Sequence, residues 1–189
     1  KIFKRIKMKT IIQKDFYRNF GYWTNSPFFK GCMSPGFRFI YFFRKAQCYS
    51  AKHPLGIFYR LLIRRYSIKY GYQISAKTKI GAGLNLGHWG TVVVNPKCII
   101  GKNCNIAHGV TLGQTNRGKL QGFPILKDDV WVGTNAVIVG GITIGTNVLI
   151  APNSYVTQDV PDNSIVTGNP MKIIPNEKAT EGYINNRID

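Results

Sequence analysis

A chain of 189 residues, 44% of them hydrophobic and 18% charged, has room for one compact domain and a smaller attached element, which excludes two full-sized catalytic domains. Its formal charge of +18 is unevenly spread: before Ser75, 16 Lys and Arg face the single acid Asp15, while the remainder carries 10 basic and 7 acidic residues. No run of about 18 uncharged apolar residues occurs, so a membrane-spanning helix is not expected.

The basic segment, residues 1–73, comes first. Basic and apolar residues mix in its first twenty positions with only weak helical periodicity. Lys1–Thr10 lacks an apolar core followed by a small-residue cleavage site, so no secretory signal is expected and a cytoplasmic location is the default. Ser34-Pro35 places a capping oxygen before a proline at the first helical position, and Phe37, Ile40 and Tyr41 recur at helical spacing, predicting a helix to about Tyr49. His53-Pro54 offers a second start. Leu55, Phe58, Leu61, Leu62 and Tyr66 then form one apolar stripe, Arg60 and Arg64 lie on another face, and Gly71 is a natural stop. Aromatics interleaved with basic residues, as in Phe37, Phe39, Tyr41, Phe42, Phe43, Arg44 and Lys45, suit a lipid headgroup region. Two readings stay open, peripheral contact with an acidic membrane surface and a helical cap packed on a neighbouring subunit; nucleic acid is not expected, because charge excess alone specifies no partner. Cys32, Cys48, Cys98 and Cys104 show no Cys-x-x-Cys spacing and read as buried free thiols.

From Ile74 a six-residue period takes over, in residues 74–175. Aliphatic residues recur at Ile80 and Leu86, at Val94, Ile100, Ile106 and Leu112, and at Val132, Ile138, Ile144, Ile150 and Val156. Four residues after most of them stands another small or medium group, such as Leu84, Cys98, Cys104, Val110 or Ala136, and many are followed directly by Gly or Ala. A period of six is not helical, and a β-sandwich of short strands needs alternation with period two. The pattern predicts a coil with three flat sides, 18 residues per turn, whose turns stack about 4.8 Å apart as parallel strands around a column of Ile, Val and Leu.

The phase slips twice. Leu86 to Val94 is eight residues, which places two extra residues near Trp89–Val93. Leu112 to Val132 is twenty, read as one turn plus two, with a loop over residues 113–129 thrown out of the coil. His88 and His108 each lie two residues after an aliphatic position and are 20 apart, one turn plus the first insertion. They are expected on the same side of adjacent turns, within about one strand spacing. A neutral imidazole is the usual general base for a hydroxyl. His53 reads as structural, and with only two histidines in the repeats no metal site is expected.

The stretches Ile80–His88, Ile100–Gly113, Val130–Ala136 and Gly168–Lys172, in that order, resemble the serine acetyltransferase branch of the hexapeptide acyltransferases. The resemblance implies a left-handed parallel β-helix, a homotrimer with active sites between subunits, and acetyl-CoA as donor. By the same match His88 is the catalytic base; His108, the second imidazole of the pair, is expected to assist or orient it. Gly113, Gln114, Gly133, Ala151 and Lys172 fall where the family lays CoA along the coil. The chain departs from the pattern at Gly87, where the family has an acid, at Gly122 and Phe123, where it has an Arg-His pair, and at Gln73, where it has a carboxylate. These positions leave the ammonium and carboxylate of serine without charged partners. The expectation is therefore a saccharide acceptor from a capsular, exopolysaccharide or lipopolysaccharide pathway, with Trp89 and Phe123 offering faces to a sugar ring. The alternatives are serine O-acetylation and a non-catalytic β-helix scaffold with a membrane-docking head; residues 176–189 are a tail.

Overall fold

The computed structural model describes residues 2–189, with side chains described from Thr10 onward. Most of the stretch read for a secretory signal, residues 1–10, therefore lies outside the described side chains. Four helices lead the chain: α1 (Ile2–Phe20), α2 (Pro27–Gly31), α3 (Pro35–Cys48) and α4 (Pro54–Tyr70). Both expected caps form. Ser34 accepts a hydrogen bond from Phe37 N, His53 Nδ1 accepts one from Leu55 N at 3.2 Å, and Gly71 ends α4 in the left-handed region at φ 81°. Helix α1 forms despite weak periodicity because Ile12 and Phe16 are buried against Phe37 of α3.

Tertiary packing changes two readings of this segment. In α4, Leu62 and Tyr66 of the expected stripe pack on the core together with Gly56, Tyr59, Ile63 and Tyr70, whereas Leu55, Phe58 and Leu61 are exposed. In α3, Phe37, Phe39, Phe42, Phe43 and Arg44 are all buried, so this aromatic run is interior and not free to meet lipid headgroups. The helices rest on the chain's own solenoid, and α3 sits so close that a Cβ on Gly36 would strike the Leu86 carbonyl.

A buried ion pair fixes that junction. Arg44 Nε lies 2.8 Å from Asp15 Oδ2, and Arg44 Nη1 donates to Ile80 O at 2.7 Å. Asp15 Oδ1 accepts from Gly83 N at 2.7 Å and Leu84 N at 3.3 Å, so the pair ties α1 and α3 to the first coil. Burial pushes the Asp15 carboxyl above its ordinary range, against the opposite pull of Arg44 and the two amides. Arg18, also buried, donates to Asn105 Oδ1 at 2.6 Å. These two cations are structural and contribute little to the surface field that the sequence suggests.

The rest is a parallel β-solenoid of five coils with three faces. The first face stacks β1 (Tyr72–Ile74), β3 (Val92–Val94), β6 (Thr111–Gly113), β9 (Val137–Val139) and β12 (Tyr155–Val156). The second stacks β2 (Lys79–Ile80), β4 (Ile99–Ile100), β7 (Ile125–Leu126) and β10 (Thr143–Ile144). The third stacks β5 (Asn105–Ile106), β8 (Val130–Val132), β11 (Val148–Ile150), β13 (Ser164–Thr167) and β14 (Lys172–Pro175), the last of these antiparallel. Each side buries its aliphatic residue and the group two positions before it, as with Cys104 and Ile106 or Ala136 and Ile138.

Strand register locates the slips. Val93 pairs with Thr111 at the 18-residue period, and Tyr72 with Val92 at 20, so the first insertion lies where the sequence puts it. Thr111 pairs with Val137 at 26, which corrects the second slip. Leu112 and Val132 are two sides apart plus eight residues, the excursion runs from 114 to 124, and Leu126 is the buried aliphatic of a side that the sequence reading absorbs into the loop. At the second corner Asn103, Asp129, Asn147 and Asn163 repeat a left-handed turn, φ 54–58°, which short polar side chains tolerate. The tail folds back down this ladder: Asn147 Nδ2 donates to Glu177 O at 2.7 Å, and Ile188 N donates to Asn103 Oδ1 at 3.1 Å.

Candidate active site

The corner between the third and first faces carries a column of equivalent positions, His88, His108, Thr134 and Pro152, one per coil. Asn135 N donates to His108 O, and Asn153 N donates to Thr134 O, which carries the stacking upward. The rings of His88 and His108 meet edge to face, centroids 5.8 Å apart and planes at 88°. His88 is exposed and His108 half-buried. His108 Nδ1 is buried and has no hydrogen-bond partner among the described residues.

The first insertion and the helices position this pair. Tyr72, fully buried, donates its hydroxyl to His88 O at 2.9 Å. Burial, with Tyr70 close by, pushes the Tyr72 hydroxyl well above the ordinary tyrosine range, so it stays a neutral donor. Gly90 N donates to Tyr70 O at 2.9 Å, anchoring the inserted residues to the end of α4. Gly90 has φ 144°, and a Cβ there would lie 2.9 Å from His108 Cβ, so only glycine lets the insertion pass over the second imidazole. Neither imidazole has a carboxylate partner among the described residues, and the sequence has no Asp or Glu between Asp15 and Asp128.

Beside the histidines runs a file of small residues, Gly87, Ala107, Gly133 and Ala151. Ala107 N bonds Val132 O, Gly133 N bonds Ile150 O and Ala151 N bonds Val166 O. Above them Lys172 pairs with Thr167 across β13 and β14 and is exposed. His88, His108, Gly133, Ala151 and Lys172 therefore share one edge of the solenoid. At Gly133 the missing side chain has an internal cause, since a Cβ would lie 2.7 Å from Pro152 N of the next coil. Trp89, 68% exposed, flanks His88.

The remaining residues singled out by sequence are elsewhere. Gly113 ends β6 and Gln114 begins the excursion, at the opposite edge of the first face. Phe123 lies one residue before the end of that excursion, with Lys97 Nζ 4.9 Å from its ring centroid. Within one chain Phe123 does not join Trp89, because the excursion leaves from the corner after the first face and not from the histidine corner. Tyr72 escapes the sequence reading, although its position two residues before Ile74, where other coils carry Val92 or Ala136, marks it as an inward aromatic.

The family described as bacterial transferase hexapeptide (six repeats) matches residues 123–158. The serine acetyltransferase of Synechococcus elongatus is 34% identical over 140 residues, covering 74% of this chain and 57% of that protein. Among solved structures, the serine acetyltransferase of Brucella abortus in complex with coenzyme A is 30% identical, with a TM-score of 0.71, covering 92% of this chain and 68% of that one. The Neisseria gonorrhoeae serine acetyltransferase in complex with serine is 29% identical, with a TM-score of 0.68, covering 89% and 68%. The chain spans between about a third and somewhat over half of the length of the curated relatives it matches.

Proposed function

The chain belongs to the hexapeptide-repeat acyltransferase superfamily, in its serine acetyltransferase-like branch, and on that premise we propose that it transfers the acetyl group of acetyl-CoA to the hydroxyl of L-serine. The saccharide acceptor expected from the sequence is corrected, and polysaccharide biosynthesis with it, because the relatives and structural neighbours are serine acetyltransferases. That expectation rested on Gln73, Gly87, Gly122 and Phe123 lacking charge. Lost charges at four positions do not make a site neutral when helices beside it carry others.

One observation carries the reading: two imidazoles 5.8 Å apart at the foot of a file of small residues that leads to Lys172. His88, the exposed member, takes the proton of the acceptor hydroxyl as its oxygen forms a bond to the thioester carbonyl carbon. When the carbon–sulfur bond breaks, His88 returns the proton to the departing thiolate. Such a base contributes on the order of a hundred-fold to ten-thousand-fold in rate. His108 holds the second imidazole against it, and Tyr72 fixes the backbone from which His88 projects. The file of Ala107, Gly133 and Ala151 leaves backbone approachable to a thin pantetheine arm, and Lys172 supplies positive charge at its far end.

The assembly we propose is a homotrimer. Gly113, Gln114 and Phe123 lie on another edge from His88, so a neighbouring subunit that presents that edge would complete the site. A donor made in the cytoplasm supports a cytoplasmic location. Among the described residues no helix is long and apolar enough to cross a membrane. Peripheral contact with an acidic surface falls to α4, where exposed Phe58, Leu61 and Ile68 stand beside exposed Arg64 and Arg65.

The experiment is release of free thiol from acetyl-CoA, with and without L-serine, and mass analysis of the acceptor. Serine-dependent thiol release with one acetyl added to serine is expected. No binding of CoA by calorimetry would contradict the enzyme reading and favour a non-catalytic scaffold.

A further inference from the structure

Where α3 and α4 meet the first insertion lies an open recess of about 360 Å³, lined by Pro35, Arg38, Lys69, Tyr70 and Trp89. Trp89 directly follows His88, and the Gly90–Tyr70 hydrogen bond holds the recess against the histidine corner. Two of its five wall residues are cations. Arg38 is locked in place: its Nε donates to Cys32 O, its Nη1 donates to Tyr70 Oη at 2.8 Å, and its guanidinium lies 5.9 Å from the Tyr66 ring centroid. Its Nη2 has no partner among the described residues. Lys69 Nζ lies 5.8 Å from the Tyr70 ring centroid. Neither Arg38 nor Lys69 forms an ion pair among the described residues.

A guanidinium held on two sides, with one edge left free, is pre-organised for a carboxylate or phosphate oxygen. No carboxylate lines the recess. Asp15 is committed to Arg44, and the next acid in the chain is Asp128. The same surroundings offer an acceptor's ammonium no carboxylate and repel it.

We propose that Arg38 and Lys69 form the anion subsite of the acceptor, so that the site reads the carboxylate of serine and takes short hydroxy carboxylates as a class, with or without an ammonium group. This rests on the acetyl-transfer reading above and names what selects the acceptor. It also accounts for serine chemistry in a chain with Gln73, Gly87, Gly122 and Phe123 at the four departing positions, because the acceptor's charge is met from α3 and α4.

Three acceptors separate the possibilities: L-serine, glycerate, which keeps the carboxylate and loses the ammonium, and serinamide, which does the reverse. Glycerate is expected to match or exceed serine in kcat/KM, and serinamide to fall about tenfold or more below it. Lys69→Met, at an exposed position that leaves folding intact, and Arg38→Met should each raise KM for serine about tenfold, keep KM for acetyl-CoA, and shrink the gap between serine and serinamide; Arg38→Lys should restore part of it. Serinamide equal to serine, or variants with unchanged KM for serine, would overturn the proposal. So would a Lys69→Met variant that raises KM for acetyl-CoA instead, since the recess would then serve donor phosphates. Calorimetry of glycerate with the CoA-bound protein is the independent arm. If no acceptor is acetylated yet glycerate binds and Lys69→Met weakens it, the acetyl-transfer reading fails and the subsite stands; if glycerate does not bind, the subsite fails.

Discussion

Tyr72 reaches from the first coil to the carbonyl of His88, and its own burial keeps the hydroxyl protonated far above neutral pH. Tyr72→Phe leaves that carbonyl short of one donor, which costs about 1 kcal/mol. Turnover should fall several-fold with KM for acetyl-CoA unchanged, a split seen in steady-state kinetics. The interior cysteines make a second residue-scale case. Burial pushes the Cys98 thiol up to about 11 and the Cys104 thiol up to about 12. Both should resist iodoacetamide at pH 8 until the chain unfolds, as read by mass spectrometry. Because the folded state holds these protons more tightly than the unfolded chain, their contribution to stability is full below about pH 9 and is lost as pH climbs through about 11 and 12, checked by denaturant midpoints across that range. Residues such as His88 and His108 are legible in the sequence because a fixed period converts spacing into direction. Arg38 and Lys69 are not, because they reach the site through a helix packing that no repeat encodes.

At the scale of elements, the junction between head and solenoid hangs on Asp15 and Arg44. Asp15→Ala strands a buried guanidinium and should cost about 3–5 kcal/mol, lowering the melting temperature by roughly 10 °C. The double change Asp15→Ala with Arg44→Met should be milder than Asp15→Ala alone, because no charge is then left without its partner. The strands were legible throughout most of the coil, since each inward position is set by its neighbours above and below. Two elements are not legible in the sequence, for physical reasons. In α4 the apolar residues go nearly all round, so Leu55, Phe58 and Leu61 compete with Gly56, Tyr59 and Ile63 for the packed face, and the contacts of Tyr59 and Tyr66 with Phe42 decide it. In the excursion at 114–124 a length of eight extra residues mimics one full turn plus two, and Leu126 alone breaks the degeneracy.

Across the whole molecule, one chain holds the histidines and the phenylalanine loop on different corners, and a shared site between subunits would reunite them. Mixing two inactive proteins, His88→Ala and a variant lacking residues 115–122 of the excursion, should then restore part of the activity, because some subunit junctions of the mixed trimer pair an intact corner with an intact loop. Fully separate sites would give no recovery. Light scattering should report three chains per particle.

The proposed reaction requires the corner bearing His88 to be a proton-transfer site and not a packing contact. The direct measurement is turnover of acetyl-CoA and L-serine by the His88→Ala protein, beside its circular dichroism and melting curve. A loss of at least about a hundred-fold with the fold unchanged is predicted. Turnover within a few-fold of the unmodified protein would contradict it.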